Sequence, residues 1–349
     1  MTGALDRHAP RHGSGDATTA IALCADDYAM HRGIDDAVCA LLAQRRLTAV
    51  SCMSGAPRWR DQAAPRLREM AGGATANAMA GADADNVSDN ITDNVADIGL
   101  HLNLTESFGQ QNTSLARLIV QACTRRLDRD ALRIGFARQF DAFEAGMGMA
   151  PDFIDGHQHV HQFPVVRDVL LELIDARYGD RKPWVRNTHA GSGAGAPSPK
   201  QALLALLGGR ILARRLTAAG IASNAGFAGV YGFDSDDYAS LFEQWLARAR
   251  EGTLLMCHPA VSSSAHDPIG RQRQREYAFF SSAAFAPMLA AHAVRLVRLS
   301  QLLAAPCPTR HILLQDFPKP VVNQPGCAIT DPAIRRPGDP GTKMKTDAR

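Results

Sequence analysis

Four short stretches of this sequence concentrate the residue types that hold metal ions and move protons. They are Asp26-Asp27, His101 within GLHLNL, the run Asp155-Gly-His157-Gln-His159-Val-His161, and Cys257-His258-Pro259. Two adjacent carboxylates repel one another unless a cation or solvent offsets them, so Asp26-Asp27 reads either as part of a metal site or as a solvated turn or helix cap. The histidine run is the densest cluster, with three of the chain's 12 histidines inside five residues. Imidazole is a common ligand for borderline metals, and a neighbouring carboxylate such as Asp155 fixes which ring nitrogen is free to bind. In an extended segment Asp155, His157, His159 and His161 would all face one way, which favours a metal site over a polar loop with incidental histidines. His258 ends an apolar run, a place equally suited to general acid–base work and to capping a loop. Arg186, closing Trp-Val-Arg, would orient a carboxylate or stabilise an oxyanion; taken alone it reads as a surface charge.

Only a scaffold of strand ends brings such scattered groups together. Residues 20–25 (AIALCA) fit a buried strand, residues 34–43 carry helical periodicity, residues 47–53 (LTAVSCM) are rich in β-formers, and residues 58–70 read as a charged surface helix. Residues 98–104 (IGLHLNL) alternate strictly, which puts Gly99, His101 and Asn103 on one face and the aliphatic residues on the other. By itself this describes a hydrogen-bonded histidine on a half-buried strand. Further strands over residues 153–155, 184–186, 253–257 and 294–296 alternate with helices over 115–127, 130–145, 165–177, 200–219, 238–249 and 284–293. The alternation predicts an α/β fold with a covered parallel sheet, and its repetition favours a single-domain, distorted (β/α) barrel over an open sheet. Asp26, Asp27, His101, His157, Arg186 and His258 then all fall at or near strand ends, where such a barrel builds its active site.

Residues 1–18 and 305–349 read as disordered tails, and residues 72–96 as a low-complexity surface insertion, which leaves residues 19–304 as the domain. The formal net charge of +3, from 38 Lys+Arg against 35 Asp+Glu, is too balanced for a nucleic-acid binder. No apolar run reaches the ~18–20 residues that span a membrane, and the N-terminal stretch lacks the apolar core of a secretory signal. The seven cysteines are odd in number and scattered, without CxxC spacing, and read as reduced thiols of a cytoplasmic protein. The motifs of dinucleotide and P-loop sites, serine-hydrolase elbows and HExxH zinc sites are all missing.

Five blocks, in order, resemble the YdjC-like carbohydrate deacetylases, the group that contains the ChbG and HpnK proteins. CADDYAMHRGIDDAV is similar to the NADDFG block and its helix, LTAVSCM to the LTSTS-type strand, and IGLHLNLT to the GxHxxLT block. PDFIDGHQHVHQFP is similar to PTHxDSHxHVHxxP, the most specific of the five, and LLMCHPA to the MCHP block. NAGFAGVYG and the later REY look like further family features, and the likeness spans residues 20–303.

The resemblance implies a distorted (β/α) barrel, related in chemistry to the NodB-type polysaccharide deacetylases, that removes acetyl groups from an N-acetylated sugar. It implies one divalent metal ion on Asp27, His101 and His157, with Asp26 as general base and His258 as general acid. A two-histidine, one-carboxylate set suits Zn²⁺, Mn²⁺, Co²⁺ or Fe²⁺ by softness, while the resemblance keeps Mg²⁺ in view. Asp155, His159, His161 and Tyr231 are expected as supporting or substrate-facing groups, and a small carbohydrate substrate and a homodimer are implied. Cys24, Gly156 and Tyr28-Ala29 depart from the family pattern without removing a proposed ligand. Two other readings stay open. One is another metal-dependent sugar enzyme, either an isomerase or a glycosidase working with Asp26 and Asp155. The other is a non-catalytic carbohydrate-binding protein on the same barrel.

Overall fold

The computed structural model describes residues 18–70, 95–106, 108, 113–189, 205–264 and 267–304. The expected tails, apart from residue 18, and the 72–96 stretch up to residue 94 lie outside these.

Eight strands form one sheet: β1 (Thr19–Tyr28), β2 (Ala49–Cys52), β3 (Asp97–Leu102), β4 (Phe153–Gly156), β5 (Trp184–Val185), β6 (Gly226–Ala228), β7 (Thr253–Cys257) and β8 (Val294–Leu296). Every pairing is parallel, and the order is β5-β4-β3-β2-β1-β7-β6, with β8 beside the start of β1. The central strand, β1, is buried from Ala20 onward. This is why residues 20–25 read as an uninterrupted apolar run rather than an alternating one.

The chain steps outward from β1 to β5 on one side and returns through β6 and β7 on the other. The gap between β5 and β6 is bridged by the Val185 N–H donating to the Ala222 carbonyl at 3.0 Å. The Asn224 side chain reinforces it, accepting from the Asn187 N–H at 2.7 Å and donating to the Asn187 carbonyl at 2.8 Å. The result is the distorted single-domain barrel that the alternation predicts.

Helices α1 (Arg32–Ala43), α2 (Leu115–Cys123), α3 (Arg129–Met147), α4 (Val166–Tyr178), α5 (Arg210–Ala218), α6 (Tyr238–Leu246), α7 (Gly270–Ser281), α8 (Phe285–Ala291) and α9 (Leu299–Ala304) accompany the sheet. In α3, Asp128 caps the N-terminus by accepting from the Asp130 and Ala131 N–H groups, and Gly148 at φ 73° ends it. Its spacing of Leu132, Phe136, Phe140, Phe143 and Met147 buries one face, each side chain contributing about 1.5–3 kcal/mol.

Three described elements depart from the sequence reading: β6, α7 and the six-residue helix α9. β6 has only three residues, too few to show a period. Helix α7 (GRQRQREYAFFS) buries Gln272, Arg273 and Glu276 before it reaches Phe279 and Phe280. Its inward stripe is polar because it faces the cavity described below, so no apolar periodicity marks it.

Candidate active site

Alternation along β1 would send Asp26 and Asp27 to opposite faces. Instead the β1–β2 register shifts between Ala25 and Tyr28, and Asp27 sits at φ 68°. This irregularity lets both carboxylates line one cavity of about 390 Å³, for a backbone strain of about 1–3 kcal/mol.

Asp27 Oδ1 lies 3.2 Å from His101 Nε2, from β3, and 2.8 Å from His157 Nδ1, just beyond β4. The donor atoms of the three residues lie within 4.8 Å of one another and all three side chains are buried. The second nitrogen of each ring faces another carboxylate. His101 Nδ1 is 2.6 Å from Asp155 Oδ1, which also accepts the Ser51 hydroxyl at 2.5 Å. His157 Nε2 is 3.4 Å from Glu106 Oε1.

Burial disfavours a charged His101, yet Asp155 and Asp27 outweigh it and push its pKa up to about 10. His157 is raised in the same way, by Asp27 and Glu106 against burial. Burial would raise Asp27, but Arg273 and His157 hold it well below the ordinary carboxylate range. Two imidazole nitrogens converging on one carboxylate oxygen, each ring fixed from behind, is a donor set that fits a divalent cation.

A second acidic group, Cys24, Asp26 and Asp155, already holds its cation. Arg186 donates from Nη1 to Asp26 Oδ2 and from Nη2 to Asp26 Oδ1, both at 2.6 Å. The same Nη2 is 2.6 Å from Asp155 Oδ2 and donates to Cys24 Sγ at 3.1 Å. Burial alone would raise Asp26; Arg186 overrides it and keeps the carboxyl ionised. Arg186 is fully buried beneath the cavity. It grips the carboxylates and is not among the residues that line the cavity. His258, from the end of β7, places Nε2 3.9 Å from Asp26 Oδ2. Its burial lowers the pKa to about 4, so the resting imidazole is neutral.

The extended segment expected for residues 155–161 does not form. His157–Gln162 make a 3₁₀ turn with Gln158 and His159 at φ 52° and 58°. Pro164 disfavours a helical Phe163, so the chain completes its turn before that point. The three histidines therefore diverge. His157 meets Asp27, while His159 lines the cavity and packs edge-on to Phe227 at 5.5 Å. His161 donates from Nε2 to the Arg186 carbonyl at 3.0 Å. Burial lowers both His159 and His161, the latter to about 4. Tyr231 lines the cavity and donates its hydroxyl to Glu276 Oε1.

A family model described as YdjC-like protein matches residues 20–291. The chain belongs to the YdjC-like family. Among solved structures it is similar to a protein of Enterococcus faecalis V583 to which cellobiose-phosphate cleavage has been ascribed. The identity is 15%, the match covers 82% of this chain and all of the other, and the TM-score is 0.56. At that identity the likeness speaks for a common fold alone. Weaker matches are a family 4 acetyl xylan esterase of Clostridium thermocellum in complex with cobalt (14% identity, 81% and 90% of the chains, TM-score 0.36) and the Bc1960 peptidoglycan N-acetylglucosamine deacetylase (13%, 83% and 90%, TM-score 0.39). No curated protein matches.

In this YdjC-like protein the structure adds residues that sequence reading left unassigned. Arg273 donates from Nη2 to Asp27 Oδ2 at 2.6 Å and from Nε to Asp267 Oδ2 at 2.7 Å. Glu276, raised to about 7 by burial, accepts the His258 backbone N–H at 2.5 Å as well as the Tyr231 hydroxyl. The REY block was the one available signal for Glu276, and Ser51 lay within the LTAVSCM block without an assigned role; Glu106, Asp267 and Arg273 had no signal. Apolar side chains line the cavity as well, among them Met30, Leu115, Ile119, Phe163 and Leu207.

Proposed function

We propose that this chain is a metal-dependent carbohydrate N-deacetylase, acting on an N-acetylglucosamine-containing or similar N-acetylated sugar. The observation that carries it is the convergence of Asp27, His101 and His157 beside the Asp26–His258 pair in a single cavity. Membership of the YdjC-like family supports the same reading.

Asp27 Oδ1, His101 Nε2 and His157 Nδ1 would hold one divalent cation, and by donor softness Zn²⁺ fits better than Mg²⁺. When bound, the ion supplies Lewis-acid polarisation of the amide carbonyl and acidifies water. The protein's own part is proton management. Asp26, kept ionised by Arg186, accepts the proton of the attacking water. Because its carboxylate is so strongly stabilised, it passes that proton on readily. His258 Nε2, 3.9 Å away and neutral at rest, receives it and delivers it to the departing amine nitrogen. One proton thus travels from water to product, and each transfer contributes about 10²–10⁴ in rate. The Glu276 bond to the His258 N–H holds that strand end in place.

A glycosidase would need two carboxylates across a sugar site. Asp155 is fully buried and tied to Ser51, His101 and Arg186, which disfavours it as Asp26's partner in such a reaction.

The test is acetate release from short N-acetylglucosamine oligomers by metal-reconstituted protein, with Asp27→Ala alongside. Acetate that requires both metal and Asp27 is the expected result. A folded, metal-loaded protein that releases none from any acetylated amino sugar would overturn the proposal.

A further inference from the structure

The two oxygens of Asp27 have different partners. Oδ1 faces both imidazoles, at 3.2 and 2.8 Å, whereas Oδ2 accepts from Arg273 Nη2 at 2.6 Å. Arg273 is 2% exposed, and its position is fixed from a second side. Asp267 Oδ2 accepts from its Nε at 2.7 Å and lies 3.3 Å from His31 Nε2. The other oxygen, Asp267 Oδ1, accepts the Ile269 N–H at 3.1 Å, at the entry to α7. The guanidinium therefore reaches Asp27 as an anchored prong.

We propose that Arg273 is a positioning residue that restricts Asp27 to one-oxygen coordination of the cation. The inference rests on the metal-site reading above. A carboxylate free to turn can offer both oxygens to a cation, filling two positions and holding the ion more tightly. A charge-assisted hydrogen bond to Oδ2 opposes that rotation and draws negative charge away from Oδ1. The site then keeps positions open for water and for the amide carbonyl, and the ion stays more electrophilic. Arginine suits this role better than lysine, because only its planar fork can engage Asp267 and Asp27 at once in a fixed geometry.

Cobalt(II) is the probe, since its visible ligand-field absorption weakens as its coordination number rises. Full-length wild type, Arg273→Met and Arg273→Lys are titrated with cobalt, following absorption and calorimetric affinity, with Asp27→Ala as the ligand-loss control. The expected result for Arg273→Met is a weaker band together with about ten-fold tighter cobalt binding, the usual scale of an outer-sphere effect. Acetate release falls at the same time, and Arg273→Lys lies in between.

A purely scaffolding Arg273 gives the opposite sign, because a misplaced Asp27 binds cobalt more weakly. That outcome, or an unchanged spectrum, overturns the proposal and leaves the metal site standing. Wild type that binds no cobalt overturns both. If Arg273→Met does not fold, Asp267→Asn, which frees the guanidinium from its anchor, must move the spectrum in the same direction; an unchanged spectrum there sinks the idea.

Discussion

The two imidazoles that face Asp27 are clamped from behind with unequal strength. Asp155 meets His101 at 2.6 Å between fully enclosed partners, whereas Glu106 meets His157 at 3.4 Å with its side chain 33% exposed. A hydrogen bond in a low-dielectric interior fixes tautomer and ring orientation far more firmly than one that water can replace. Asp155→Asn is therefore expected to weaken metal binding by about 10–100-fold, and Glu106→Gln by clearly less. Titration calorimetry of the two variants checks the order, and equal losses would contradict the burial argument. The three proposed ligands and proton carriers of the first and third motifs, Asp26, Asp27 and His157, were legible because paired carboxylates and a dense histidine cluster both fell at strand ends. The roles of Ser51, inside the LTAVSCM block, and of Glu106, just past Leu-Thr, were not, since both look ordinary until the fold places them.

Short elements at the barrel rim set the shape of the cavity. Just past β6, Gly229 adopts φ 94°, and a Cβ there would stand 2.2 Å from the Met256 carbonyl oxygen of β7. Both the backbone conformation and the contact exclude a side chain, and the residues that follow, Val230 and Tyr231, line the cavity. Gly229→Ala is expected to lower stability by about 2–4 kcal/mol, read by denaturant unfolding. A loss under about 0.5 kcal/mol, the size of an ordinary surface substitution, would show that the rim yields instead. Helix α7 makes the complementary point. Its Arg273 and Glu276 hold Asp27 and the His258 backbone, and the polar stripe that does so is what hid the helix from a periodicity argument.

Across the whole molecule, the strand ends carry the chemistry and the strand starts carry a stability device. At the start of β3, Asp97 accepts from the Ser300 N–H at 2.9 Å and from Trp184 Nε1 at 3.3 Å. Before β4, Asp152 Oδ2 accepts the Ile98 N–H at 2.8 Å. Burial, reinforced by Asp97 and only partly offset by the Ile98 N–H, raises Asp152 to about 6. The folded state thus binds this proton more tightly than the unfolded chain. Its contribution is fully present below the unfolded pKa of about 3.9 and is lost as pH rises through about 6. Relative to Asp152→Asn, wild type should lose on the order of 2 kcal/mol between about pH 4 and 7. Unfolding curves of both proteins across that range check it, and a pH-independent difference would refute it.

The sequence by itself determined the strand–helix alternation, the parallel sheet, and the strand-end placement of Asp26, Asp27, His101, His157 and His258. Local pattern encodes those facts, because a buried parallel strand must be apolar and its end must turn polar. Tertiary structure alone decided which oxygen of Asp27 meets which partner, that the histidine run turns instead of extending, and that Arg186 lies sealed beneath Asp26. It also decided that α7 supplies Arg273 to a carboxylate 246 positions earlier in the chain. Such pairings depend on the bulge in β1, the turn before Pro164 and the curl of the barrel, and none of these leaves a period in the sequence.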